Sequence, residues 1–421
     1  MNIIIVSAYF APAFQPNAVR AVRLSSHLAK QGHDVTVVTL DERSLLSRGA
    51  LDEDLARSLH SGVRVVRVSG GPSRRHPRPL RSETRFGLRL EEKLLVPLLF
   101  PDPYMDCLPG LLRTGRRLLK QHGPDLVISI AYPWTCHIVA GLLARSRNIR
   151  WIAEYGDPWA DNPASDIKLP RWRKRTDKAI EGRLLRRVSR LVVTTERTKR
   201  HYLSLFPFLE DRIDVIRPGF REEPCQPGDA KRVSKLNIVY TGRIYPGARS
   251  LVPFIEALRH LRSNHPSLAD TLHVALVGDV DLANQREIGR YALADVISII
   301  GWQTQEQISH WRASADILLM LGNHGGIQVP SKLYEYLGSR KPILMIKEDE
   351  SDEAAEIVEN TDSGWIVNNR TSDIARFLDG AITGAMRPPS FRGSIPIERF
   401  SEGACLENYS DTIRKALGAS I

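Results

Sequence analysis

The sequence predicts two doubly wound α/β domains joined by a linker. Three observations lead there. Short β-branched runs alternate with stretches of helical periodicity through the first half. The alternation breaks at Arg217-Pro218-Gly219 and a polar stretch, 221–235, that holds Pro224, Pro227 and Gly228. It then resumes at Leu236 and continues to the C-terminus.

Asn2 to Val6 reads as a strand buried on both faces. Ser7 to Pro16 is a loop with prolines at 12 and 16, and Asn17 is placed to cap a helix over Ala18 to Gln31. Gly32 ends that helix, and Asp34 to Thr39 is the next strand. A strand, a helix and a strand within forty residues make a βαβ unit and hence a parallel sheet. Further strands are expected at Val63–Val68, Asp125–Ile130, Trp151–Glu154, Arg190–Thr194 and Asp214–Ile216. Helices fall near 108–121, 134–146, 171–189 and 196–205.

The second series has strands at Leu236–Thr241, Leu272–Val277, Val296–Ile299, Ile317–Met320, Ile343–Ile346 and Trp365–Val367. A last helix, about 398–417, follows a proline-rich stretch and carries Phe400, Leu406, Tyr409, Ile413 and Leu417 as an apolar stripe.

Composition narrows the class. With 421 residues, 42% apolar and 25% charged, the chain is an ordinary globular one, not fibrous or disordered. Its longest apolar run, Leu94 to Phe100, is far short of the ~20 residues of a spanning helix. The N-terminus predicts no signal peptide, lacking a basic n-region. Cys107, Cys136, Cys225 and Cys405 are scattered without CxxC spacing, which predicts reduced thiols and no structural zinc.

The net charge of +11 is unevenly placed. Residues 1–220 hold 37 Lys and Arg against 22 Asp and Glu, and residues 221–421 hold 22 against 26. A basic first half suits a nucleic acid, an anionic membrane surface or a phosphorylated substrate. Arg74, Arg75, Arg78, Arg81, Arg85 and Arg89 sit beside the run Leu94 to Phe100. That segment is either a solvated loop or a patch for anionic lipid.

No GxGxxG follows the first strand and no GxxxxGK[ST] occurs, so phosphate must be held by other means. After the strand Leu236–Thr241, Gly242-Arg243 leads through Arg249 into a helix over 250–263. A glycine at a strand end lets backbone approach a ligand, and the two arginines can clamp a diphosphate. Downstream, Pro330-Ser331-Lys332 opens a helix after Gly325-Gly326. A lysine in the first helical turn is disfavoured by the dipole unless an anion is bound, which marks a site. Glu335, one turn on, can accept bonds from sugar hydroxyls. In the first half, Glu154-Tyr155-Gly156-Asp157-Pro158-Trp159 follows a strand, so Asp157 stands at a strand end where a carboxylate can act as a base or as a turn residue. His137 and His201 lie in no motif and read as core or surface residues.

These stretches together resemble the GT-B glycosyltransferases of the family 4-like group. The matching segments are IIIVSAYFAPAFQPNAVRAVRLSSHLAKQGHDVTVVT, AEYGDPWADNP, RLVVTTERTKRHYL, YTGRIYPGARSLVPFIEAL, GWQTQEQISHWRASADILLML and VPSKLYEYLGSRKPILMI, in the family's order. The resemblance implies a GT-B fold: two Rossmann-like domains with a cleft between them and a C-terminal helix crossing back. It places an acceptor-binding domain at 1–219, a nucleotide-sugar-binding domain at 220–395 and the returning helix at 396–421. Arg243 matches the arginine that binds the donor diphosphate, Arg249 stands in for the usual lysine, and Lys332 with Ser331 looks like the diphosphate-binding variant. Glu335 matches the second of the family's paired glutamates, which holds the donor ribose. The first falls at Ile327, which has no group for a sugar hydroxyl. Tyr9 to Ala18, with Pro16 and Asn17, takes the place of the family's acceptor or phosphate loop, while Asp157 is the candidate base by its position at a strand end.

The expected activity is therefore transfer of a sugar from a nucleotide diphosphate-sugar to a hydroxyl. The resemblance implies a lipid-linked glycan acceptor in cell-surface polysaccharide synthesis. The cations would serve in place of a metal, so no cofactor is expected beyond the nucleotide-sugar co-substrate. The chain is expected in the cytoplasm, peripheral on the inner face of the membrane, and without a nucleic-acid partner. Two alternatives are a nucleotide-sugar 2-epimerase of the same fold and a non-catalytic basic nucleic-acid binder. The first needs further carboxylates and histidine, and the second lacks any recognised nucleic-acid module.

Overall fold

The computed structural model describes residues 1–45, 51–70, 100–160, 162, 169–221, 235–244, 249–325 and 327–418. The chain divides into two compact units: Met1–Ile216 with Leu406–Ile421, and Arg217–Cys405.

The first unit is built on seven strands: β1 (Asn2–Ser7), β2 (Asp34–Leu40), β3 (Val63–Val68), β4 (Leu126–Ile130), β5 (Arg150–Tyr155), β6 (Arg190–Val193) and β7 (Ile213–Val215). They form one sheet in the order β3-β2-β1-β4-β5-β6-β7. Every pairing is parallel; β1 runs beside β2 from Asn2↔Asp34 to Val6↔Val38 and beside β4 from Ile3↔Leu126 to Ser7↔Ile130. The central strands are near-continuous Ile, Val and Leu because helices cover both faces. The helices are α1 (Pro16–Lys30), α2 (Glu53–Arg57), α3 (Leu108–His122), α4 (Thr135–Arg147), α5 (Arg171–Leu185) and α6 (Glu196–Leu205). The strand order reverses between β1 and β4. Right-handed crossovers then put α1 and α2 on one face and α3, α4, α5 and α6 on the other. There α3 packs on α4 and α4 on α5.

The second unit repeats the plan with β8 (Leu236–Thr241), β9 (Leu272–Val277), β10 (Ile297–Gly301), β11 (Ile317–Leu321), β12 (Ile343–Lys347) and β13 (Gly364–Asn368). Its order is β10-β9-β8-β11-β12-β13, again all parallel. The helices used below are α7 (Val252–Asn264), α8 (Leu282–Arg290), α9 (Gln305–Ser314), α10 (Lys332–Ser339), α11 (Glu353–Thr361), α12 (Thr371–Ile382) and α13 (Glu402–Leu417). Two Rossmann-like doubly wound sheets in one chain match the fold class expected.

The start of α13 is held in the second unit by Arg221 Nε donating to Glu402 at 2.8 Å. From Leu406 onward it belongs to the first unit. There Ser410 Oγ donates to Gln31 Oε1 at 3.1 Å and lies 3.2 Å from His27 Nε2, so α13 lies against α1. Tyr409 and Ile413 are buried.

One helix start differs from expectation. Helix α1 begins at Pro16, so Asn17 is its second residue and not its cap. Proline at the first helical position is preorganised, and its missing N–H removes a donor the cap would have had to satisfy. Asn17 is thereby freed to reach another loop. At the end of the chain, Ile397–Phe400 forms a 3₁₀ turn and the α-helix proper starts at Glu402. Among the described residues, no helix is long and apolar enough to cross a membrane. Among the described residues, Cys107, Cys136 and Cys405 are buried and in no disulfide, while Cys225 lies outside the described residues, as do Arg74 to Arg89 and Asp161.

Candidate functional site

In an open α/β sheet, ligands bind beyond the strand C-termini where the strand order reverses. In the second unit that point lies between β8 and β11. Of the five predicted donor-site residues, Lys332 and Arg249 have their side-chain bonds at this point, and Ser331 and Glu335 stand just before and in the first turn of the helix that opens beside it.

Lys332 is the first residue of α10. Its ammonium donates to Thr241 O, the last residue of β8, at 2.8 Å. It also stands 3.6 Å from the centre of the Tyr240 ring, a cation–π geometry. Burial first, and then the charge of nearby Arg249, pull its pKa well below the usual lysine range, while Glu335 acts in the opposite sense. Ser331 precedes it, exposed, and makes no capping bond with its side chain.

Arg249 connects the two strand ends. Its Nε donates to Asn323 Oδ1 at 2.8 Å, just past β11, and its NH1 donates to Arg243 O at 3.2 Å, just past β8. The Tyr240 hydroxyl donates to the same Arg243 carbonyl at 2.9 Å. The Arg243 side chain turns to Asp279 beyond β9, 3.1 Å away, and both are exposed. Glu335 accepts from Arg312 NH1 of α9 at 2.8 Å. It is therefore neither a purely solvated helix glutamate nor a core residue: Arg312 is buried and fixes it. Ile327 lies between β11 and α10, where it offers only apolar atoms on its side chain.

The turn after β8 needs its glycines. Gly242 has φ +108° and Gly278 φ +130°, which side-chain-bearing residues rarely adopt. Gly242 N donates to Val277 O at 2.8 Å, and Ile244 N to Asp279 O at 3.1 Å, so the loops after β8 and β9 lock together. A Cβ on Gly278 would stand 2.3 Å from Gly242 O, and one on Gly242 would stand 3.3 Å from the Lys332 ammonium. Gly278→Ala is expected to cost about 1–3 kcal/mol from backbone strain. Thermal denaturation should show the loss.

The first unit has its own reversal between β1 and β4. Here the Asn17 side chain amide donates to Tyr132 O beyond β4, which joins α1 to the opposite strand end. Pro16 is exposed at the helix start. The loop before it is fixed by Tyr9 and Tyr104, whose hydroxyls lie 2.6 Å apart, and by Arg67 NH2 donating to Ala11 O at 2.6 Å.

Asp157 is exposed two residues beyond β5. Its turn is held from below. Thr194 Oγ1 donates to Gly156 O at 3.2 Å, Tyr202 OH lies 3.1 Å from Trp159 N, and Ala160 N donates to Glu181 at 3.2 Å. Glu154 is buried, 3.2 Å from Arg20 Nε. His137 is a core residue stacked 4.3 Å from Tyr155, and burial lowers its pKa to about 3.

Sequence reasoning did not reach Tyr240, Asn323, Asp279 or Arg312. Tyr240 reads as one apolar residue of a strand, and Arg312 pairs with a residue 23 positions away. Only Asp279 carried a signal, as an acid just after a strand and a glycine.

Two Rossmann-like sheets in one chain are the structural class of the GT-B enzymes. Comparison with known proteins narrows this. Residues 18–219 match the model of a glycosyl transferase 4-like domain, and residues 235–383 match that of glycosyl transferases group 1. The chain belongs to this family of GT-B glycosyltransferases. Among solved structures, it is similar to Anabaena HepE in complex with UDP-glucose, with TM-score 0.66, 13% identity and coverage of 98% of this chain and 99% of that one. It is similar to sucrose-phosphate synthase from Thermosynechococcus elongatus, with TM-score 0.65, 16% identity and full coverage of both chains, 100% and 100%. A glycosyltransferase from Rickettsia africae ESF-5 gives TM-score 0.63 at 15% identity, over 100% of this chain and 99% of that one. No curated protein matches the chain.

Proposed function

We propose that this glycosyltransferase moves a sugar from a nucleotide diphosphate-sugar to an acceptor hydroxyl, with the donor diphosphate at the β8/β11 reversal. The observation that carries this reading is Lys332. Its ammonium is desolvated, and its hydrogen bond goes to a carbonyl rather than a carboxylate. A cation in that state costs free energy that an anionic ligand removes. Free N–H groups at the start of α10, by Ser331, add fixed positive charge. As the bond to the leaving diphosphate breaks, negative charge grows there, and Lys332, Arg249 and Arg243 favour that state. Glu335, oriented by Arg312, is the proposed acceptor for the ribose hydroxyls. Asp157 is the proposed base, and Pro16 and Asn17, the first two residues of α1, follow the loop proposed for the acceptor or its phosphate.

The cations take the part of a divalent metal, and the acceptor is a lipid-linked glycan of cell-surface polysaccharide synthesis. Its enzyme sits as a peripheral protein on the inner face of the membrane. The basic first half supports that placement. The complex of HepE with UDP-glucose makes UDP-sugars the first donors to try.

The test is nucleotide release from a panel of UDP- and GDP-sugars mixed with a membrane lipid extract. The expected result is release with one donor, dependent on the extract and unchanged by EDTA. Epimerisation of the donor sugar without need of an acceptor would favour the 2-epimerase instead. Turnover of no donor would overturn the reading.

A further inference from the structure

The helical layer α3, α4 and α5 of the first unit has an unusual charge pattern. Helix α3 contains no Asp or Glu and exposes Arg113, Arg116, Arg117 and Lys120. Helix α4 likewise has no acid and exposes Arg145 and Arg147 at its end. Helix α5 exposes Arg171, Lys174, Arg175, Lys178 and Arg183. Its only two carboxylates point inward. Asp177 takes Arg173 Nε at 2.9 Å with both side chains 2% exposed, and buried Glu181 accepts from Tyr202 OH at 2.6 Å. The three helices thus present cations and no exposed carboxylate. On the other face of the sheet, α2 exposes Glu53 and Asp54 beside Arg57. Helix α6, beyond them, exposes Glu196, so the carboxylate-free surface is that of α3, α4 and α5.

The same face carries exposed apolar groups. Trp172, in the first turn of α5, is 54% exposed, and Leu142 of α4 is 36% exposed. Along α3 a groove is lined by Leu108, Pro109 and Leu112 between Arg113, Arg116 and Lys120. A basic helix face with an indole among its cations suits the boundary between headgroups and acyl chains. There the cations meet anionic headgroups and the indole enters the interface. A nucleic acid would engage the cations but leaves Leu108, Leu112 and Leu142 without a role.

We propose that this layer is a docking surface for an anionic phospholipid leaflet. The inference rests on the reading of a membrane-borne acceptor and names the surface that brings the enzyme to it. It places the contact on α3, α4 and α5 rather than on Arg74 to Arg89.

The experiment floats the full chain with vesicles of phosphatidylcholine, alone or mixed with phosphatidylglycerol. Wild type is expected to float with the mixed vesicles only, and less as salt rises. Near an anionic surface each cation contributes on the order of 1 kcal/mol. Replacing Arg116, Arg117, Lys174, Arg175 and Lys178 together by Gln should therefore lower partitioning by at least about tenfold. Changing Arg74, Arg75, Arg78, Arg81, Arg85 and Arg89 to Gln should have the smaller effect. Acyl-brominated phosphatidylglycerol should quench tryptophan emission in wild type and less in Trp172→Phe, a readout that does not need the five-fold variant to fold. Wild-type flotation of a folded five-fold variant would overturn the proposal. So would loss confined to the 74–89 variant, quenching unchanged in Trp172→Phe, or displacement from vesicles by duplex RNA. Nucleotide release is read in parallel. Flotation without donor turnover counts against the activity and leaves the surface standing, whereas turnover without flotation does the reverse.

Discussion

Lys332→Ala is expected to weaken nucleotide-sugar binding by about 2–4 kcal/mol, roughly 30- to 1,000-fold, since an anion in a desolvated site loses its partner. Titration calorimetry with the donor that supports turnover measures this directly. A pH signature accompanies the loss. In the free protein, burial and Arg249 hold the Lys332 pKa well below its usual range. A bound diphosphate favours the charged form and raises the pKa again. Binding between the depressed and the usual value must therefore take up a proton, and affinity should fall as pH rises through that interval. Calorimetry in two buffers of different ionisation heat reads the proton count, and Lys332→Met should abolish it. The free protein shows the opposite trend. Across the same interval the unfolded chain binds more protons than the folded one, so this group's contribution makes stability rise with pH. Nucleotide affinity unchanged in Lys332→Ala would remove Lys332 from the donor site.

That position was legible because a local rule is broken there. A lysine at the first position of α10 opposes the helix dipole, and such a conflict is visible without a structure. The strands were legible for a related reason. Parallel strands covered on both faces are almost pure Ile, Val and Leu, as in Ile3 to Val6 and Ile317 to Leu321. What escaped is non-local. Tyr240 supports Lys332 with its ring face, and Arg312 aims Glu335 from another helix. Neither has a periodic or spacing signal. The cap at Asn17 failed because two start signals compete within two residues and Pro16 prevails. The basic surplus could be counted from the sequence. That α3, α4 and α5 expose no carboxylate could not, because it depends on Asp177 and Glu181 turning inward.

Asp157→Asn is expected to lower turnover by about 10²- to 10⁴-fold with donor affinity unchanged, the range a positioned general base contributes. An acceptor hydroxyl is a poor nucleophile until its proton is drawn off. Asp157 is an exposed carboxylate beyond a strand C-terminus in a doubly wound sheet, where such sheets place their chemistry. The turn that bears it is held by Thr194, Tyr202 and Glu181 rather than by Asp157 alone, so the substitution should leave folding intact. Glu154 is a poor competitor, because it is buried against Arg20 inside β5. Three measurements on Asp157→Asn decide the matter together: the thermal unfolding midpoint, donor affinity and turnover. A base predicts that only turnover falls. A structural turn residue predicts that the unfolding midpoint falls too. Near-full turnover would exclude Asp157, and the proton would then go to a phosphate oxygen of the donor, beside Lys332 and Arg249.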